Sequence, residues 1–172
     1  AQEVYGSDSL KGKRVVVQGA GNVASHLCSH LAQEGAKLFV ADIYEEKAKK
    51  IAKELKATFI KPEKIYGVQA DIFAPCALGG ILDDNTIPKL KVPIVAGGAN
   101  NQLLDEQKHN QMLVDRKILY APDYAINAGG LTGESSFSEE TGNFEALWIN
   151  NAVAPFDSLA VRQALAYSLD RA

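Results

Sequence analysis

Long apolar runs are missing from this sequence: no stretch reaches the about eighteen apolar residues that a membrane-crossing helix needs, and no charged-then-apolar leader is visible. The expectation is a chain without a membrane span or signal peptide. Cysteine is scarce. Cys28 and Cys76 fall inside expected regular structure rather than in a spaced framework, which predicts free thiols, a reducing compartment and, by default, the cytoplasm. A basic excess is missing too: 18 Lys+Arg against 21 Asp+Glu leave a net charge of −3, and no basic strip interleaved with aromatics offers a footprint for nucleic acid. Lysine stops early, at Lys117. Residues 1–130 hold 16 basic against 15 acidic side chains, whereas residues 131–172 hold 2 against 6. An acidic surface is one reading of that shift; the other is a boundary near residue 130.

What is present suits about one globular domain: 172 residues, 47% hydrophobic and 23% charged. Arg14–Gln18 (RVVVQ) is a continuous β-branched run, the pattern of a strand buried on both faces of a parallel sheet. It leads straight into glycines. From Asn22, Ala24, Leu27, Cys28 and Leu31 recur at helical spacing until Gly35, a stop signal. Lys37–Ala41 reads as a second strand ending in Asp42, and Glu45–Lys56 as a helix with Ala48, Ile51, Ala52 and Leu55 on one face. Further short strands are expected at Thr58–Ile60, Ala70–Ala74, Pro93–Gly97 and Ile118–Ala121, with a helix over Leu103–Asp115. The alternation predicts an α/β fold, a Rossmann-type doubly wound and mainly parallel sheet.

The turn after the first strand carries the chemistry. Gly19-Ala20-Gly21-Asn22-Val23-Ala24 has the form G-x-G-x-x-A, in which the first glycine makes the tight turn, the second lets backbone approach a pyrophosphate, and the small last residue lets helix and sheet pack closely. Asp42, 23 residues after Gly19 at the end of the next strand, can accept hydrogen bonds from the adenosine ribose hydroxyls. Its charge would repel a ribose phosphate, and no arginine lies nearby, so NAD is expected over NADP. A glycine turn that binds nothing, or another adenosine compound such as S-adenosylmethionine, is the alternative. His26 and His30 stand four apart on the first helix, where two solvent-side histidines are favoured over a metal pair without a third ligand. His109 carries no pattern of its own.

Downstream lie Asp71–Gly80 (DIFAPCALGG), Gly97–Gln102 (GGANNQ) and Tyr120–Gly130 (YAPDYAINAGG). With Ser9–Lys13, these segments resemble the NAD-binding domain of the glutamate/leucine/phenylalanine/valine dehydrogenase family over about residues 1–130. The resemblance implies that Gly19, Gly21, Asn22 and Val23 form the pyrophosphate turn and that Asp42 holds the adenosine ribose. It further implies that Cys76, Ala77 and Leu78 lie along the dinucleotide, with Asn100 near the nicotinamide ribose and Asn127 near the ring. Each segment follows an expected strand and so belongs at the carboxyl edge of the sheet, where such folds bind ligands. Loop capping through Asx turns is the other account of Asn100 and Asn127. The Cys76 thiol reads better as a small buried hydrophobe, with only its backbone toward a cofactor.

In that family the acid/base lysine belongs to a preceding substrate domain, and nothing in this sequence matches it. Lys11 and Lys13 precede the first strand, on the wrong side of the fold. The expectation is no catalytic residue, no metal and binding without turnover by this chain alone, with an enzyme component completed by a separate substrate domain, or a scaffold that binds nothing, as alternatives. Lacking the domain that assembles the family, a monomer is the first guess. After Gly130 the pattern changes: Leu131–Thr141 reads as a linker, Phe144–Ile149 as a strand, Pro155–Ser158 as a turn and Leu159–Arg171 as a helix. Asn143–Arg171 resembles a strand–turn–helix piece of ABC-transporter solute-binding proteins, which predicts a chimera joined near residue 130, its residues 131–172 completing the same domain.

Overall fold

Three consecutive valines give β1 (Arg14–Gln18) side chains on both faces, and both faces are covered. The computed structural model describes residues 1–127. A single turn, α1 (Gln2–Tyr5), precedes β1; then follow α2 (Asn22–Gln33), β2 (Lys37–Ala41), α3 (Glu45–Glu54), β3 (Thr58–Phe59), β4 (Ile72–Pro75), β5 (Ile94–Val95), α4 (Glu106–Asp115), β6 (Leu119–Tyr120) and α5 (Asp123–Ile126). The strands form one sheet in the order β3-β2-β1-β4-β5-β6, and every pair is parallel. This is the doubly wound Rossmann order, as expected.

Alternation along the strands divides the core. Val15 and Val17 of β1 join Leu38, Val40, Ile72 and Ala74 under Ala24, Cys28 and Leu31 of α2 and Ala48 and Ile51 of α3. Val16, Ala41, Phe73 and Val95 turn the other way, onto Ile65, Ile87, Leu113 and Ile118. Each buried valine, leucine or phenylalanine contributes roughly 1.5–3 kcal/mol, so β1, with its three valines at 1% exposure or less, anchors both layers. On the second face the connections at Pro62–Gly67 and Ile87–Lys89 are 3-10 turns rather than full helices.

Several element ends differ from the sequence reading, each for a local reason. The helix expected from Leu103 starts at Glu106, because Leu103 pairs with Leu82 and the Asp105 carboxylate caps the helix by accepting the Lys108 N–H at 2.9 Å. The fourth strand begins at Ile72 rather than Ala70: Ala70 donates to the Lys91 carbonyl instead of joining the β1 ladder. The helix expected over Glu45–Lys56, α3, stops at Glu54. Among the described residues the three long helices α2, α3 and α4 end in the same way, with a left-handed residue, Gly35, Lys56 or Lys117, and a closing bond from the next N–H back to the carbonyl five residues earlier. Only the glycine was legible as a stop. The linker, strand, turn and helix expected within 131–172 lie outside the described residues.

Candidate functional site

β1 and β4 are neighbours, yet β1 runs on to β2 on its other side, so the connections leaving the carboxyl ends of β1 and β4 diverge and open a crevice. Gly19 stands at its base with φ +111°, and a Cβ there would sit 2.8 Å from the Cys76 carbonyl oxygen. The fold itself therefore demands glycine at 19. Gly19 donates to the Ala41 carbonyl and Cys76 to the Gln18 carbonyl, both at 2.7 Å, which ties the starts of the loops after β1 and β4 to the strands beside them.

Gly21 is a different case. Its backbone (φ −80°, ψ −171°) is open to any residue, and nothing lies within 4 Å of a Cβ placed on it. No side chain caps α2 at Gly21, so the first N–H groups of that helix face open space at the positive end of its dipole. Beside this opening the Asp42 carboxylate accepts the Ala20 N–H at 2.6 Å through Oδ2 and the Tyr44 N–H at 2.7 Å through Oδ1. A negative charge is thus held against the glycine turn by backbone on two strands' ends. Open volume, free N–H donors and a fixed carboxylate are what a nucleotide's pyrophosphate and ribose require.

Farther along the edge, three loops meet. A Cβ on Gly79 would lie 2.7 Å from the carbonyl oxygens of Asn100 and Asn101, and Gly80 donates to the Asn101 carbonyl at 2.7 Å. The Asn127 amide donates to Asn100 Oδ1 at 2.9 Å, so side chains 27 positions apart are joined to each other rather than curled into Asx turns. A Cβ on Gly98 would lie 2.9 Å from Val23 Cγ1, linking this loop back to α2. Of the ten residues singled out by sequence, Gly19, Asp42 and Cys76 converge on the turn, with Gly21 and Val23 beside them, and Asn100 and Asn127 pair. Asn22, Ala77 and Leu78 are exposed at the same edge without a hydrogen bond to another of the ten among the described residues. Burial pushes the Cys76 thiol upward, only partly offset by the Gly98 N–H, so at neutral pH it is a protonated, half-buried group.

Four side chains here escaped the sequence reading. Asp123 accepts the Asn101 N–H at 2.8 Å, and buried Gln102 holds the Gly97 and Ala99 carbonyls. Gln18, at the end of β1, donates to the Tyr66 hydroxyl at 2.8 Å and leaves Oε1 buried without a partner. His109 proves to be 2% exposed: Nδ1 accepts the Asp105 N–H at 2.8 Å and Nε2 lies 3.6 Å from Asp84. The partners of Asp123 and Gln18 lie 22 and 48 positions away, beyond any short-range pattern, whereas Gln102 and His109 bond three to five positions back but are buried by the tertiary fold. His26 and His30 are exposed on α2, and no group of three or more His, Cys, Asp or Glu could hold a metal among the described residues. None of the described helices is long and apolar enough to cross a membrane.

Comparison with known proteins bears on the fold and the family. The sequence pattern of the shikimate/quinate 5-dehydrogenases matches residues 1–73, and that of the glutamate/leucine/phenylalanine/valine dehydrogenases matches residues 39–154, running past the boundary expected at residue 130. Leucine dehydrogenase of Thermoactinomyces intermedius is 57% identical over 131 residues, 76% of this chain and 36% of that protein. The crystal structure of L-tryptophan dehydrogenase from Nostoc punctiforme superposes with a TM-score of 0.73 at 52% identity, over 76% of this chain and 39% of that one. Hetero-hexameric glutamate dehydrogenase from Thermus thermophilus gives 0.61 at 26% identity, over 76% and 34%. The chain therefore spans little more than a third of the length of the relatives it matches. With more than half of its residues inside the family's pattern, the chain belongs to the glutamate/leucine/phenylalanine/valine dehydrogenase family.

Proposed function

We propose that residues 1–127 hold NAD for an amino-acid dehydrogenase. The observation that carries this reading is the Asp42 carboxylate bonded to Ala20 beside the open, uncapped turn at Gly21. Gly19, Gly21, Asn22 and Val23 would receive the pyrophosphate on backbone N–H groups, and Asp42 the adenosine ribose hydroxyls. Its fixed charge disfavours a ribose phosphate, hence NAD over NADP. Cys76, Ala77 and Leu78 would lie along the dinucleotide, and Asn100 with Asn127 would meet its nicotinamide riboside. When bound, NAD supplies a hydride acceptor; the described residues bind and orient it.

Oxidative deamination of leucine or a similar amino acid is the activity proposed for the whole enzyme, supported by the family. It needs a lysine acid/base and a substrate domain that closes over the nicotinamide, and no residue described here fills either role. The described residues alone are expected to bind without turnover. A solute-binding-protein origin for residues 131–172 rests on the Pro155–Arg171 string and the lysine cut-off at Lys117 alone, and the dehydrogenase pattern, which reaches residue 154, speaks against it for residues 131–154. Calorimetric titration with NAD and NADP tests the main reading. Heat from NAD and much weaker uptake of NADP support it, and silence from both up to millimolar nucleotide overturns it.

A further inference from the structure

Asn100 sits between two peptide groups, and each is held by a side chain from outside its own loop or from beneath it. On the preceding side, the Gln102 amide, 1% exposed, donates from Nε2 to the Gly97 carbonyl at 2.6 Å and the Ala99 carbonyl at 2.9 Å. The Ala99 carbonyl belongs to the peptide plane that enters Asn100. On the following side, Asp123 Oδ2 accepts the Asn101 N–H at 2.8 Å, and that N–H belongs to the plane that leaves Asn100. Because a residue has only two soft torsions, holding both planes fixes the direction in which the Asn100 side chain departs.

The following residue makes the restraint necessary. Asn101 is left-handed (φ +50°), a conformation that non-glycine residues adopt at a cost, and its carbonyl is taken by the Gly80 N–H. Asp123 thus stabilises a turn that would otherwise relax. It also opens α5, the helix that ends beside Asn127, whose amide reaches Asn100 Oδ1. One carboxylate therefore brings two asparagines from separate loops to a common place.

We infer that Gln102 and Asp123 are positioning residues: they lock the Asn100 backbone and set Asn100 and Asn127 as one unit facing the nicotinamide riboside half of the dinucleotide. The inference rests on the nucleotide reading above. It predicts that loss of Asp123 weakens binding of the whole dinucleotide and spares the adenosine diphosphate half, which meets only the glycine turn and Asp42.

The full chain, D123A and D123N are titrated calorimetrically with NAD and, separately, with ADP, with thermal unfolding followed in parallel. For D123A the expected result is roughly tenfold weaker NAD binding, the size of one hydrogen bond to a charged acceptor, with ADP unchanged within about twofold. D123N should recover part of the loss, since an amide oxygen can accept the same N–H. Should D123A fail to fold, D123S, which also removes the carboxylate, decides: a loss confined to NAD supports the inference and no such loss overturns it. Equal losses for NAD and ADP, or an unchanged NAD affinity, overturn the positioning role and leave the nucleotide reading standing. A wild-type chain that takes up neither nucleotide overturns both.

Discussion

Between Gly19 and Asp42 the crevice is made of two strand ends and one helix start, whereas between Asn100 and Asn127 it is made of three loops that hold one another. At the first end, positions follow from the parallel register that sets Gln18 beside both Ala41 and Pro75, and backbone bonds complete the job. At the second end, positions follow from side chains: Gln102 under one loop, Asp123 across to another, Asn127 back to Asn100. The difference teaches where each half is vulnerable. Added bulk damages the strand-end half, where backbones nearly touch; deletion of a single polar group damages the loop half.

The largest effect should come from bulk at the strand end. Gly19→Ala forces a Cβ into the Cys76 carbonyl at a positive φ, and urea unfolding should show a loss of about 3 kcal/mol or more. Gly21→Ala sharpens the comparison, because the protein leaves that position open: stability should stay within about 1 kcal/mol while NAD affinity falls at least about tenfold by calorimetry. If both variants merely destabilise, the space at Gly21 is not a ligand's. Asp42→Ala should weaken NAD by roughly five- to tenfold and narrow the preference over NADP, read as a ratio of dissociation constants. Smaller again, Asn127→Ala removes one exposed neutral bond, for a loss of about three- to fivefold for NAD and none for ADP.

The smallest effect on binding is expected at the opposite edge of the sheet, where Asp71 serves as a control. Partial burial opposes its ionisation, but the Arg14 N–H, the Tyr5 hydroxyl and the Arg14 charge together hold its carboxyl below the usual range. A depressed carboxylate contributes stability that is complete above its unfolded pKa of about 4 and is lost as the pH falls through the folded value. Asp71→Asn should therefore remove part of the acid-induced decline in stability followed by denaturant titration below about pH 4, and leave NAD affinity unchanged. A change in NAD affinity there would break the separation between the two edges.

Much of the strand-end half is legible in the amino-acid order. Consecutive valines, the glycines that follow, and the helical recurrence of Ala24, Cys28 and Leu31 are short-range signals, and Asp42 follows from counting to the next strand end. Legibility fades where partners are distant. In sequence Asp123 looks like one more loop acid and His109 looks idle, and the stops at Lys56 and Lys117 carry no glycine: each is an exposed left-handed lysine followed by a closing backbone bond, from Ala57 to Ala52 and from Ile118 to Leu113. The 3-10 turns on the second face are equally hidden, since Ile65 and Ile87 fill that layer from segments too short to show a helical period.

By itself, the amino-acid order determined the α/β alternation, the glycine turn and the acid that faces it, because backbone sterics and side-chain periodicity act over a few neighbouring residues. Only the folded sheet decided that Asp123 would meet Asn101 and that Asn127 would meet Asn100. Those bonds exist because the order β1-β4-β5-β6 carries separate loops to one edge, and no local preference encodes which loops will arrive together.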